Sequence, residues 1–175
     1  MNRFKGKCLA IAVLASATAS VVHGEVVGEF EVGSGEFTST AIFQFSNLNQ
    51  YIFTINYDGA PTGREAFDII EQDLPDLFNP EIKSYDFGDF LFGLGIGDDY
   101  NSGFGTPPDY FDYWHYWTRD SVNLPWEESM VGFSDRIFSD GSVDGWVFDS
   151  GDAPIPAPAA WLVMLGVGIQ RRRRS

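Results

Sequence analysis

The sequence has little cysteine, histidine and positive charge, and it lacks an apolar run long enough to cross a bilayer. Its single cysteine, Cys8, lies near the N-terminus, so the remainder can form neither a disulfide nor a thiolate metal site. One histidine, His115, falls in the middle of the chain, whereas zinc sites need several such ligands. A spanning helix needs about 20 apolar residues. We therefore expect no disulfide scaffold, zinc centre or ordinary transmembrane helix.

Basic residues are scarcest in the middle of the chain. Between Glu25 and Asp152 there are 25 acidic residues against four basic ones, which leaves 21 net negative charges. Such a surface repels phosphate backbones, so no nucleic-acid partner is expected. Aromatic residues make up 16% of the chain, enough to supply a core despite the charge.

The first 24 residues, MNRFKGKCLAIAVLASATASVVHG, are typical of a secretory signal. Basic residues come first, a short apolar run follows, and small residues precede cleavage points after Ala19 and Gly24. The alternative is a buried N-terminal helix.

The C-terminal segment, IPAPAAWLVMLGVGIQRRRRS, combines three features. Its prolines predict a stiff, extended lead-in, and the apolar run from Ala159 to Ile169 would be about 16 Å long as a helix. The hydrocarbon core of a bilayer is about 30 Å thick, so this run would span only with membrane thinning. The terminal arginines are expected to remain on the cytoplasmic side.

This order of features resembles the PEP-CTERM sorting signal of Gram-negative bacteria. Ala157 replaces the usual glutamate of the proline motif. The resemblance implies transient anchoring in the inner membrane, processing by an exosortase, and release or attachment at the cell surface, often among exopolysaccharide. A permanent, weak tail anchor is the alternative. The sorting residues are Ile155, Pro156, Ala157, Pro158, Arg171, Arg172, Arg173 and Arg174.

The middle of the chain is predicted to be α+β. Strand patterns cover Glu25 to Phe45 and, most clearly, Tyr51 to Tyr57, whereas Arg64 to Phe78 has the apolar spacing of a helix. A glycine-rich loop is expected from Gly95 to Pro108. Phenylalanines recur from Tyr85 to Ile96, and the segments with strand-like character are Tyr110 to Thr118, Trp126 to Phe133, Arg136 to Phe138 and Gly145 to Phe148. The prediction is one helix, with Phe67, Ile70 and Leu74 on its apolar face, packed on a mostly antiparallel sheet.

The densest aromatic segment runs from Tyr110 to Trp117. Alternation places His115 on one face of a strand, with Trp114 and Tyr116 on the other. Core packing explains the segment without a ligand and is the favoured interpretation. The alternative is a platform on which a sugar or planar ligand stacks. Its candidate residues are Tyr113, Trp114, Trp117 and Trp126.

Four stretches, AFDIIEQDL, FGDFLFGLGI, YWHYW and DGSVDGWVF, occur in an order that resembles the DUF4430 family. That family is related to the C-terminal β-domain of transcobalamin, and the resemblance implies a β-grasp-like sheet over Tyr51 to Phe148. Tyr113-Trp114 would open its central strand, and Asp140 to Phe148 would form its last hairpin. The Trp126 to Ser134 insert and the missing cysteines depart from the family, and no corrinoid site is transferred.

Catalytic and metal signals are weak. Ser121, His115 and Asp112 could be written as a triad, but no nucleophile elbow accompanies them. No catalytic residue, metal ligand or cofactor is therefore predicted. Structural calcium stays an alternative at Asp98-Asp99 with Asn101, or at Asp140 with Asp144, although neither stretch matches an EF-hand.

The sequence thus predicts a signal peptide over residues 1–24, an extracellular α+β domain over residues 25–152 and a sorting or anchor segment over residues 153–175. The expected function is that of an exported, non-enzymatic cell-surface or matrix protein that binds a ligand or plays a structural part, with exopolysaccharide as a candidate partner. The alternative is a secreted hydrolase that acts on surface polysaccharide.

Overall fold

The computed structural model describes residues 24–86 and 88–155. The signal segment up to residue 23, the proline motif from Pro156, the apolar run and Arg171 to Arg174 lie outside these residues. No helix in the described ranges is both long enough and apolar enough to cross a membrane.

The described residues form nine strands and one helix, which confirms the α+β prediction. In chain order they are β1 (Glu25–Gly33), β2 (Phe37–Gln44), β3 (Asn49–Tyr57), α1 (Gly63–Asp73), β4 (Phe78–Tyr85), β5 (Gly88–Ile96), β6 (Asp99–Ser102), β7 (Trp114–Arg119), β8 (Glu127–Glu128) and β9 (Val143–Phe148).

Helix α1 begins with a capping box. The Thr62 hydroxyl accepts from the backbone N–H of Glu65, and the Glu65 carboxylate accepts from the N–H of Thr62. Phe67 and Ile70 are fully buried, as their spacing predicts, and Leu74 packs beside them. The predicted range ran to Phe78, although the sequence also indicates that Pro75 limits or kinks the helix. The helix stops at Asp73 because Pro75 cannot continue it, and Phe78 already belongs to β4.

Strands β1, β2, β3, β7, β8 and β9 form the larger sheet, in the spatial order β1-β3-β2-β9-β7-β8. Strands β2 and β3 form an antiparallel hairpin, and β9 is antiparallel to β7. The pairs β1–β3 and β2–β9 are parallel, so this sheet is more mixed than predicted. The predicted strand from Trp126 to Phe133 is reduced to β8, because only Glu127 and Glu128 pair with β7.

Strands β4, β5 and β6 form a second, antiparallel sheet. The sequence prediction missed β4 and placed β6 within a loop. Arg136 to Phe138 forms no strand either, since Ile137 makes a single bridge to Thr62.

One aromatic core lies between the two sheets and the helix. Phe43 of β2 is at its centre, with ring centroids 5.5 Å from Phe67 of α1, 5.5 Å from Phe78 of β4 and 5.0 Å from Trp146 of β9. All four side chains are buried. This shared core holds β5 of the second sheet beside β7 of the first, where the candidate site lies.

Candidate ligand-binding surface

A β-bulge turns phenylalanines of β5 outward. Leu91 pairs with Ile82 and Gly93 pairs with Glu81, so Phe92 is an extra residue in the strand. Leu91 and Leu94 both point into the core, whereas Phe90 and Phe92 are only half-buried. Because of the bulge, β5 contributes leucines to the core and phenylalanines to an outer surface.

Five exposed or half-buried rings and the buried ring of His115 form a contiguous row, which we call the aromatic band. Centroid distances are 6.3 Å from Tyr85 to Phe104, 4.8 Å from Phe104 to Phe90 and 6.4 Å from Phe90 to Tyr113. His115 continues it at 3.9 Å from Tyr113, and Phe111 lies 5.5 Å from His115. Phe104 is 55% exposed, and Tyr85 and Phe111 are also exposed. Contiguous exposed apolar surface of this kind is characteristic of binding sites.

The loop between β6 and β7 holds Phe104 and Phe111 in place. Gly103 donates to the carbonyl of Phe92 at 3.0 Å, and the hydroxyl and N–H of Thr106 donate to the Asp112 carboxylate. These bonds from Thr106 lower the pKa of Asp112. A methyl group at Gly103 would lie 1.8 Å from the Asp112 carbonyl oxygen, so the close approach requires glycine. The exposed rings are thus fixed before any ligand arrives.

Beside the band lies a cleft of about 210 Å³. Its floor is aromatic, and two carboxylates, Asp89 and Glu128, line it with Ser129. Met130 and Val131 lie next to it, and Met130 is 95% exposed. The aromatic lining residues are Phe90, Tyr113, Trp114, Tyr116, Phe133 and Trp146. Phe90 and Tyr113 belong to both features, so the band and the cleft form one surface.

His115 also lines the cleft and is 5% exposed. Burial lowers its pKa more than the hydrogen bond to the Phe111 backbone raises it, which favours the neutral imidazole at pH 7. Its Nε2 atom is buried without a hydrogen-bond partner. Among the described residues no hydrogen bond joins His115 to Asp112 or Ser121, so the triad written from the sequence is not formed: Asp112 accepts from Thr106, and the Ser121 hydroxyl accepts from the backbone N–H of Asn123.

The four candidate stacking residues lie in different surroundings. Tyr113 belongs to the band, whereas Trp114 is 4% exposed and packs in the core, as the favoured interpretation predicts. Trp117 is half-buried on β7. Trp126 carries the Arg119 guanidinium 4.3 Å from its ring centroid and lies over Gly145. The structure therefore brings Tyr113 and Trp114 to the cleft, and Trp117 and Trp126 are not among its lining residues.

Sequence reasoning missed Phe90, Phe104 and Glu128 as site residues. The signal for Phe104 is an aromatic side chain inside a loop of Gly, Asn, Ser and Pro, where no core periodicity requires it. The signal for Phe90 is weaker, because the bulge that turns it outward interrupts the alternation of its strand.

Two of the candidate calcium residues, Asp99 and Asp140, accept hydrogen bonds from other groups of the protein. Asp99 accepts hydrogen bonds from Asn47, Asn49 and Tyr51, each 2.8 Å long. Burial would raise its pKa, but these three bonds outweigh that effect and lower it. Asp140 accepts from the backbone of Thr38 at 3.0 Å. Within residues 24–86 and 88–155, no three or more acidic, histidine or cysteine side chains are grouped to hold a metal ion.

Asp144 is a fully buried acid on β9. Tyr116 donates its hydroxyl to Oδ1, and Nε of Arg136 lies 3.5 Å from the same oxygen. Arg136 also pairs with Asp120 at 2.9 Å. Burial raises the pKa of Asp144 to about 6 despite these partners, and its Oδ2 atom has no hydrogen-bond partner among the described residues.

No protein-family model and no curated protein sequence matches the chain. Among solved structures, it is similar to the crystal structure of a "putative metal binding protein" from Ruminococcus gnavus. The two are 14% identical with a TM-score of 0.45, over 67% of this chain and 100% of the other. A likeness of this size carries no argument about ligand or activity.

Proposed function

We propose that this protein is an exported, non-enzymatic module of the cell surface or matrix that binds glycans. The observation that carries the proposal is the aromatic band, in which five rings are exposed or half-buried and a hydrogen-bonded loop holds two of them, Phe104 and Phe111. Rings fixed in advance lose little conformational freedom when a ligand binds.

A pyranose fits such a surface better than other ligand classes do. Its C–H face packs on an aromatic ring and removes apolar area from water, while its hydroxyl groups need polar partners at the edge. Asp89, Glu128 and Ser129 supply such partners in the adjoining cleft. The acidic surface disfavours nucleic acid, although bases also stack on aromatic rings.

We propose that the domain is β-grasp-like and related to the DUF4430 family. Three features support this arrangement. Strands β2 and β9 lie parallel in the middle of the larger sheet, β3 lies outside β2 in a hairpin, and β7 lies outside β9. Helix α1 follows the hairpin and packs on one face. In this proposal β1 and the sheet of β4, β5 and β6 are additions.

We also propose that a PEP-CTERM-like tail delivers the domain through the inner membrane, with an exosortase as its processing partner. The motif Ile155 to Pro158 begins where the described domain makes its last hydrogen bonds. Strand β1 begins at Glu25, so either predicted signal-cleavage point leaves it intact.

The binding proposal is tested by removing one exposed ring of the band. Phe104→Ala should weaken binding to a neutral polysaccharide by about 5- to 150-fold, because one stacked ring contributes about 1–3 kcal/mol by analogy with base stacking. Affinity electrophoresis and calorimetry against a panel of neutral glycans would measure it.

Phe37→Ala is the matched control, because Phe37 is an exposed phenylalanine on β2 of the other sheet. Equal affinity of the two variants would contradict the role of the band. If the glycan is shortened during the assay, the hydrolase alternative is supported instead. If Glu128→Gln or Asp89→Asn then abolishes this cleavage, the catalytic site lies in the cleft.

The export proposal is tested by intact mass. Protein recovered from the cell surface or medium should begin at Ser20 or Glu25 and lack Arg171 to Arg174. Full-length chain in the cytoplasm, with Met1 and Ser175 present, would refute it.

A further inference from the structure

The outer face of the larger sheet carries two buried glutamines that are neighbours across β2 and β3. Gln44 is 3% exposed and Gln50 is 1% exposed, and they are register partners in the hairpin. A buried amide without partners is costly, so the hydrogen bonds of this pair show what the pair is built to hold.

The partner of both glutamines is the backbone of Ile155. The Ile155 N–H donates to Oε1 of Gln44 at 2.8 Å, and Nε2 of Gln50 donates to the Ile155 carbonyl at 2.7 Å. The same Nε2 donates to Oε1 of Gln44 at 2.7 Å. The two side chains thus bind both backbone groups of one residue, as a neighbouring strand would.

The residue before Ile155 is fitted to the same face. Pro154 is buried, and a methyl group at Gly145 of β9 would lie 2.5 Å from its Cγ atom. Gly145 therefore leaves room for this proline. The packing and the hydrogen bonds together hold Pro154 and Ile155 against the sheet.

We propose that Gln44 and Gln50 form a seat for Ile155 that sets where the C-terminal tail is removed. A protease needs an extended, accessible segment, and backbone that is buried and hydrogen-bonded does not offer one. The seat withholds the backbone of Pro154 and Ile155 and ties down the C-terminal end of the exposed turn at residues 149–153, so the mature chain ends at Ile155 or after it. This inference rests on the proposed processing of the tail.

Hydrogen exchange of the full chain tests the seat without any processing. Pro154 and Pro156 have no N–H, so Ile155 carries the one exchangeable backbone amide between Ala153 and Ala157. In wild type it should exchange about 30-fold more slowly than in Gln44→Leu/Gln50→Leu, which removes two hydrogen bonds to Ile155. Gln72→Leu, at an exposed glutamine of α1, is the control and should exchange like wild type.

Equal exchange rates in wild type and the double variant would overturn the seat. If the double variant does not fold, Ile155→Pro can be used in its place. It removes the N–H of residue 155, and with it the hydrogen bond to Gln44, and leaves both glutamines in place. Limited proteolysis with proteinase K should then cut Ile155→Pro faster than wild type within residues 149–153, because this exposed turn is no longer tied down at Ile155. Equal protection of both chains would likewise count against the seat.

The mass of the exported product tests the processing boundary. We expect wild type to end at or after Ile155, and the double variant to give additional ends between residues 149 and 154. A wild-type product that ends before Ile155 would overturn this inference and leave the sorting proposal standing. An exported product that retains Arg171 to Arg174 would contradict the sorting proposal, and hydrogen exchange would still decide whether the seat exists.

Discussion

At the scale of single residues, Asp144 makes stability depend on pH in the direction opposite to most acids. Its pKa is raised by burial from an ordinary value of 3.8 to about 6 in the folded protein. The native state therefore binds more protons than the unfolded state between about pH 4 and 6, and the contribution of Asp144 to stability falls as pH rises through that window. A difference of this size between the folded and unfolded pKa corresponds to roughly 3 kcal/mol in the free energy of unfolding.

The corresponding prediction concerns Asp144→Asn. Because the variant has no carboxylate to ionise, its free energy of unfolding should rise relative to wild type by up to about 3 kcal/mol between pH 4 and pH 7. Urea titrations at pH 4, 5, 6 and 7 would measure the difference. Glu71→Gln, which removes an exposed carboxylate of α1, is the control. A difference between Asp144→Asn and wild type that stays constant with pH would contradict the prediction.

At the scale of elements, α1 is held by the face that its spacing indicates. Phe67 is fully buried and contacts Phe43, Phe78, Phe133 and Trp146. Phe67→Ala should lower the free energy of unfolding by about 3–5 kcal/mol, because it leaves a cavity in a rigid aromatic core. Glu71→Ala, on the exposed face, should change it by less than about 0.5 kcal/mol. A loss below about 1 kcal/mol for Phe67→Ala in urea titration would mean that the helix contributes little to the core.

Elements with a local signal could be predicted from the sequence, whereas those that depend on distant partners could not. Strand β3 alternates clearly, and α1 has both its apolar spacing and its capping residues within a dozen positions. Strand β4 was missed because Leu77 and Phe78 continue the apolar spacing of the helix and Pro80 interrupts the strand. The parallel pairing of β2 with β9 joins residues about 100 positions apart, and no local pattern specifies it.

Only some residues of the candidate site could be predicted from the sequence. Tyr113 was identified because it lies in a conspicuous aromatic run. Phe104 belongs to the site only because the Thr106–Asp112 bonds fold its loop back onto β5, and Phe90 only because a bulge turns it outward. Trp126 was included for its residue type, but the structure places it beside Arg119.

At the scale of the whole molecule, charge is the dominant feature. Residues 25–152 hold 25 acids and four bases, and within the part of the chain that the structure describes few of the acids have a basic partner. Repulsion among the remaining carboxylates favours the expanded, unfolded chain. Salt weakens that repulsion, since the Debye length falls from about 30 Å at 0.01 M to about 10 Å at 0.1 M and about 3 Å at 1 M.

The melting temperature should therefore rise by several degrees, at roughly 4 °C per kcal/mol for a domain of this size, as sodium chloride increases from 0.01 to 0.5 M at pH 7. Calorimetry would measure the shift, and the same salt series at pH 3.5 is the control. At that pH most exposed carboxylates are protonated, so the salt effect should shrink to a small fraction of its value at pH 7. An equal rise in melting temperature at both pH values would point to a general salt effect on apolar burial. A fall in melting temperature at pH 7 would mean that ion pairs such as Arg136 with Asp120 and Asp144 outweigh the repulsion.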